Sequence, residues 1–135
     1  MSELASSLPV PRTSDPDSAP FWAGAAEGKL LVALGQDGTP VHPPRTTGVN
    51  TPIRWVEAAG TARLHTWTVT RHTVDPAFPA PYTVVLVELD DHPGVRFAGH
   101  LDGAPELHAG MPMRVRFEDR DGTAVPQWQP QEERP

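Results

Sequence analysis

The chain has 135 residues, 17 of them proline and 11 glycine, with hydrophobic residues at 38% and a formal net charge of -6. That length allows one domain around one modest core, and so much proline and glycine excludes a helical bundle while fitting a turn-rich all-β domain or a folded core with loose ends. The acidic balance argues against a general nucleic-acid binder, and the absence of cysteine excludes a disulfide framework, a zinc–thiolate site and a cysteine nucleophile.

Residues 1–17, rich in Ser, Pro and Asp, read as a flexible arm. They have no basic stretch followed by an apolar run, so no signal peptide is expected, and no apolar run reaches membrane-spanning length. A soluble, cytoplasmic protein is the expectation. Ser18 can cap a short helix that begins at Ala19-Pro20, and Gly28 can stop it. Phe21, Trp22, Ala25 and Ala26 fall at helical spacing and form its expected apolar face. A strand is expected at Lys29 to Leu34. The Asp37-Gly38 turn would let it pair with Thr39 to His42, and Pro43-Pro44 then stops that strand. Thr46 to Pro52 is turn-like, and "IRWVEA" from Ile53 to Ala58 reads as another short strand.

From Gly60 the pattern changes. "GTARLHTWTVTRHTV" is rich in Thr, Val and aromatics, as strands are, but Leu64 and Trp67 lie three apart, which predicts a bulge or bend. Pro76 to Pro81 reads as a rigid loop. Tyr82 to Asp90 is nearly all apolar, which predicts a strand buried on both faces or central in a barrel. Asp91 to Gly94 is a turn. Val95 to Gly103 alternates like a strand, "APELHAG" suggests one helical turn, and Met111 to Glu118 alternates cleanly. A turn at Asp121-Gly122 leads to a last strand ending near Trp128, and residues 130–135 read as a flexible tail. Five short strands in succession point to a small barrel. The five-stranded OB-fold is the commonest solution, with an SH3-like barrel the alternative from pattern alone.

Chemistry is sparse. None of His42, His65, His72, His92, His100 and His108 makes a pair with ligand spacing. Asp90-Asp91 and Glu118-Asp119 precede turns, where solvated carboxylates are common. There is no nucleophile elbow and no phosphate-cradling glycine loop. Trp67 with Arg63, His65, Arg71 and Arg96 offers a basic face with an aromatic, as a single-strand binder would. The overall acidity and the lone Trp on that strand argue against it.

Several motifs in order resemble the acyl-CoA-associated family once called domain of unknown function 35. They are "DPDSAPFWAGAAEGKLLV", "VHPPR" (Val41 to Arg45), "IRWVEAAGTARLHTWTVTRH", "PYTVVLVELDD" and "GMPMRVRFED". The resemblance spans roughly Asp15 to Gln129. It implies an N-terminal helix and zinc ribbon over residues 18–58, then an OB-fold over 59–129. The family's four ribbon cysteines fall on Leu34, Asp37, Gly48 and Thr51, so a metal-free, degenerate ribbon without zinc is expected. The resemblance further implies a non-catalytic accessory subunit with no cofactor of its own. Its partner would be a thiolase-like or lipid-transfer-protein-like subunit acting on a CoA thioester, by carbon–carbon cleavage or formation. Phe21, Trp22 and Trp67 are then candidate partner anchors, and Arg63, Arg71 and Arg96 candidate contacts to a CoA phosphate. A stand-alone OB-fold module for acyl-CoA or single-stranded nucleic acid is the alternative.

Overall fold

The structure, a computed structural model, describes residues 8–47, 51–52 and 54–131. A short helix α1 (Ala19–Ala26) precedes seven strands: β1 (Leu31–Leu34), β2 (Arg54–Glu57), β3 (Thr61–Thr70), β4 (Tyr82–Leu89), β5 (Arg96–Asp102), β6 (Pro112–Arg120) and β7 (Thr123–Pro130). Of the ends expected to be flexible, 1–17 and 130–135, residues 1–7 and 132–135 lie outside the described residues; Pro130 ends β7, Gln131 N bonds Pro112 O, and Pro9 O accepts from Arg120 Nη1.

Helix α1 starts where expected, but by other means. Ser18 sits at its N-cap without a side-chain cap bond. Asp15 shapes the entry instead: its carbonyl accepts from the amides of Ser18 and Ala19, and its carboxylate from Asp17 N at 3.0 Å. At the other end, Gly28 N bonds Ala25 O and Lys29 N bonds Gly24 O. This is a Schellman stop, closed by Gly28 at φ 75°. The buried face differs from the expected one. Gly24 and Ala25 are buried, whereas Ala26 is exposed. Gly24 is needed for close approach, since a Cβ there would lie 2.5 Å from Leu31 Cγ.

Strand β1 pairs antiparallel with β2, Val32 opposite Val56. The expected hairpin between Lys29–Leu34 and Thr39–His42 is reduced to a single bridge, Leu34 to Pro40, made by the bonds from Gly35 N to Thr39 O and from Val41 N to Ala33 O. Proline explains this: Pro40 and Pro43 have no amide to extend a ladder. On its other edge β1 takes the long-range partner Arg54–Glu57.

The remaining strands form one antiparallel sheet in the order β5-β4-β3-β6-β7. This is the OB-fold expected from the sequence. The irregular pairing falls between Leu64 and Thr66, where the three-residue spacing placed it. The expected helical turn at Ala104–Gly110 does not form. Its backbone is used at the bulge instead: Gly110 N bonds Leu64 O, and Leu64 N bonds Met111 O. Strand β4 is not buried on both faces. Thr83, Val85, Val87 and Leu89 point inward, while Val84 is 40% exposed. It therefore has an inside and an outside, as a barrel strand must. Asp121 and Gly122, both at positive φ, make the tight β6–β7 turn.

One core unites both sheets. Leu30, Val32 and Leu34 join Leu64, Val85, Val87, Leu89, Val95, Met113 and Trp128 in a single buried cluster. The edge strands β5 and β7 pack together, yet no backbone ladder joins them among the described residues. Side chains close this seam. The buried Gln127 accepts His100 N through Oε1 at 2.8 Å.

Candidate functional site

An open, mostly apolar cleft of about 540 Å³ lies over the β5–β7 seam. Helix α1 contributes Phe21 and Trp22, the loop after β3 contributes Phe78, and β4 contributes Tyr82 and Val84. Strand β5 supplies Phe97, Ala98, Gly99 and His100, and the β6–β7 arm supplies Arg120, Val125, Pro126 and Gln127. Its size and few polar groups match those of small-molecule sites.

Two aromatic clusters flank the space. On one side Phe21 stacks on Phe97 with centroids 5.8 Å apart and meets Trp22 edge-on at 5.0 Å. On the other, Phe78 and Tyr82 lie 5.3 and 5.1 Å from the His100 ring. Asp75 and Thr73 set Phe78 in place. Asp75 accepts Ala77 N through Oδ1 at 2.9 Å and Phe78 N through its carbonyl, and Thr73 Oγ1 accepts Ala80 N at 2.8 Å. Such Asx and hydroxyl turns fix loops without a ladder.

The polar groups of the cleft are largely engaged. Arg120 is only 11% exposed and donates Nε to Glu118 at 2.6 Å and Nη1 to Pro9 O at 3.1 Å. His100 Nδ1 lies 3.9 Å from the Asp102 carboxylate. His100 Nε2 is buried with no hydrogen-bond partner, as is Trp128 Nε1. Leaving one buried polar atom unsatisfied costs about 1–3 kcal/mol.

The residues singled out in the sequence are only partly brought together. Phe21 and Trp22 both line the cleft, and Trp22 also borders a smaller cavity of about 290 Å³. Trp67 lies elsewhere, opposite Val85 and packed on the core. The three arginines are separate. Arg96 Nε bonds Glu88 at 3.0 Å across β4–β5, and Arg63 Nε lies 3.7 Å from Asp90. Arg71, at the exit of β3, is exposed. None of the three lines the cleft. Phe78, Tyr82, Phe97, His100, Arg120 and Gln127 were not singled out as a site. Five of them fall on strands whose closure across the seam no local pattern reveals.

The ribbon positions do not suit zinc. Leu34 is a core residue at 6% exposure. The Asp37 carboxylate accepts Thr39 N at 2.9 Å, a bond that holds its pKa below the ordinary 3.8. Thr51 offers a hydroxyl, and Gly48 lies outside the described residues. A different link ties this region to the helix: Asp17 Oδ1 accepts both Thr46 N at 2.7 Å and Thr46 Oγ1 at 2.8 Å. His42 Nε2 donates to Arg96 O at 2.9 Å, and its ring packs 4.7 Å from Phe97. This packing strips water from the ring and lowers its pKa, which the Arg96 carbonyl only partly offsets. The residue keeps an exposed edge.

Among the described residues, no helix is long and apolar enough to cross a membrane. Residues 55–118 match the model of the ChsH2 C-terminal OB-fold domain. The chain is 30% identical over 125 residues to the alpha subunit of 3-oxo-4,17-pregnadiene-20-carboxyl-CoA hydratase of Mycobacterium tuberculosis, covering 89% of this chain and 40% of that protein. It is 37% identical over 111 residues to a probable enoyl-CoA hydratase alpha subunit of Thermomonospora curvata, covering 75% of this chain and 33% of the relative. The chain thus spans well under half the length of these curated relatives. A chain in the solved structure of the Ltp2-ChsH2(DUF35) aldolase superposes with a TM-score of 0.76 at 28% identity, over 89% of this chain and 98% of that one. The match of residues 55–118 to the ChsH2 C-terminal OB-fold model and the superposition on a chain of the Ltp2-ChsH2(DUF35) aldolase bear out the chain's resemblance to the family once called domain of unknown function 35.

Proposed function

We propose that this chain is a non-catalytic accessory subunit that docks on a thiolase-like partner and supports its action on acyl-CoA thioesters. The reaction is carbon–carbon bond cleavage or formation, of which retro-aldol cleavage of a steroid side chain is one version. The observation that carries this reading is the superposition on nearly the whole of one chain of a two-component aldolase. The names of the curated relatives, each the alpha subunit of an acyl-CoA hydratase, support the substrate class. An acyl-CoA substrate suits a cytoplasmic location.

On this reading Phe21, Trp22 and Trp67 are partner contacts. Trp22 is the best placed, since it stands between two cavities. Aromatic anchors of this kind dominate binding energy at interfaces. Arg71 is the most available CoA-phosphate contact. Arg63 and Arg96 would have to share their charge with Asp90 and Glu88. The ribbon is a degenerate one whose surface outlasts its metal, held by the Leu30, Val32 and Leu34 core and the Asp17–Thr46 link.

Co-expression with each thiolase-like protein of the same genome tests the reading. A stoichiometric complex with one of them is expected, weakened at least tenfold by Trp22→Ala. A monomer that binds CoA or an oligonucleotide and captures no such protein would overturn it.

A further inference from the structure

We propose that Ala98, on the seam-side edge of β5, is a strand-addition point for an extended segment of the partner subunit, one residue of which exchanges both backbone bonds with it. The polarity of β5 leads there. Successive residues of an antiparallel strand turn their amide and carbonyl to opposite sides. Just outside the two ends of β5, Val95 O accepts Leu89 N and Gly103 N bonds Pro81 O, so the odd-numbered residues face β4. Arg96 O accepts from His42 Nε2, and His100 N donates to Gln127 Oε1, so the even-numbered residues face the seam. Ala98 lies between these two. Its N–H and C=O therefore point into the seam, and the residue is exposed. Among the described residues, no ladder, bridge or side-chain bond reaches either group.

Strand β7 is poorly made to fill that edge. Gln131 N bonds Pro112 O, so odd-numbered residues face β6 and even-numbered ones face the seam. Pro126 and Pro130 are among the latter and have no amide to give. Pro126 lines the cleft together with Ala98. Side chains close the edge to either side, His42 at Arg96 and Gln127 at His100. Ala98 is the gap between them. An open strand edge is a template for pairing with another chain.

The surroundings define what can pair. Strand addition takes its affinity from backbone bonds and its selectivity from side-chain pockets. The side chain of the residue opposite Ala98 lies on the same face as Ala98. That face carries Leu86, the cross-strand neighbour of Ala98, and Val84, which is 40% exposed. Phe78 and Tyr82 line the same cleft. The Ala98 methyl leaves room above it for a large side chain. Arg120, the charged residue of the lining, is already neutralised by Glu118 at 2.6 Å. A charge brought in by the segment would find no counter-charge there. The segment is therefore uncharged and apolar where it meets the cleft, with no proline at the pairing residue. Phe21 and Trp22, the partner contacts proposed above, line the same cleft, so the added segment continues that surface. The identity of the partner rests on that reading; the open edge does not.

The test uses a peptide and needs no partner. Acetylated and amidated Val-Thr-Phe-Thr-Val is titrated into the full chain, with backbone amide shifts as the readout. Saturable binding is expected, with shifts centred on Ala98. N-methylation of the central Phe amide, which removes its N–H, should weaken binding at least tenfold. Ala98→Pro removes the seam-side amide without removing a β4–β5 bond and should weaken it by as much. Should that variant not fold, the two peptides on the wild-type chain decide alone. The proposal is overturned by no saturable binding, by shifts centred away from Ala98, or by equal affinity for the N-methylated peptide. An Ala98 amide already protected from exchange in the free chain would overturn it as well, because the chain itself would then fill the edge. Loss of the complex in the co-expression test would leave the peptide readouts unaffected, so the two ideas fail separately.

Discussion

At the scale of single residues, one histidine ties the ribbon to the barrel. His42 bonds the Arg96 carbonyl and packs on Phe97, and desolvation holds its pKa below the ordinary 6.5. The folded state therefore favours neutral His42, while the unfolded chain protonates near the ordinary value. The resulting stability is fully present above pH 6.5 and is lost as the pH falls through the lowered folded value. Urea unfolding midpoints measured between pH 7.5 and 5 should fall with acidification. His42→Phe, which keeps the ring contact, should flatten that slope. Asp37 acts the same way lower on the scale: its contribution is present above the ordinary 3.8 and fades as the pH falls through its lowered value. Two further residues hold the site by packing. Gly24→Val would drive its side chain into Leu31 and should cost about 1–3 kcal/mol in urea unfolding, as overpacking does. Gln127→Ala frees His100 N at the seam and should cost about 1–3 kcal/mol, for a buried amide left unpaired.

At the scale of elements, the sequence was most legible where a local rule had no competitor. The helix stop at Gly28, the bulge between Leu64 and Trp67 and the Asp121-Gly122 turn each follow from one or two residues, and each is present. Expectations failed where proline or a distant partner decided. Residues 39–42 lost their ladder because Pro40 and Pro43 have no amide to extend it. Residues 104–110 formed no helical turn because the β3 bulge used their backbone. The cleft was illegible for the same reason. Phe78, His100 and Gln127 are far apart in sequence and meet only when β5 and β7 close without a ladder. The ribbon yields a metal prediction: prolonged EDTA treatment, followed by added zinc, should leave the melting temperature unchanged. A rise of several degrees with stoichiometric zinc would contradict the degenerate-ribbon reading.

At the scale of the whole molecule, the chain carries an apolar cleft whose lining arginine, Arg120, is engaged by Glu118 and Pro9. Phe21 and Trp22 of α1 line the cleft over the β5–β7 seam, while Arg71 lies apart at the exit of β3. The most direct test of the central claim is turnover of an acyl-CoA thioester by the thiolase-like partner alone, by this chain alone and by the two together. An accessory subunit predicts no turnover by the chain alone, and at least tenfold more activity from the pair than from the partner by itself. Turnover by the purified chain alone, or identical rates with and without it, would contradict the claim.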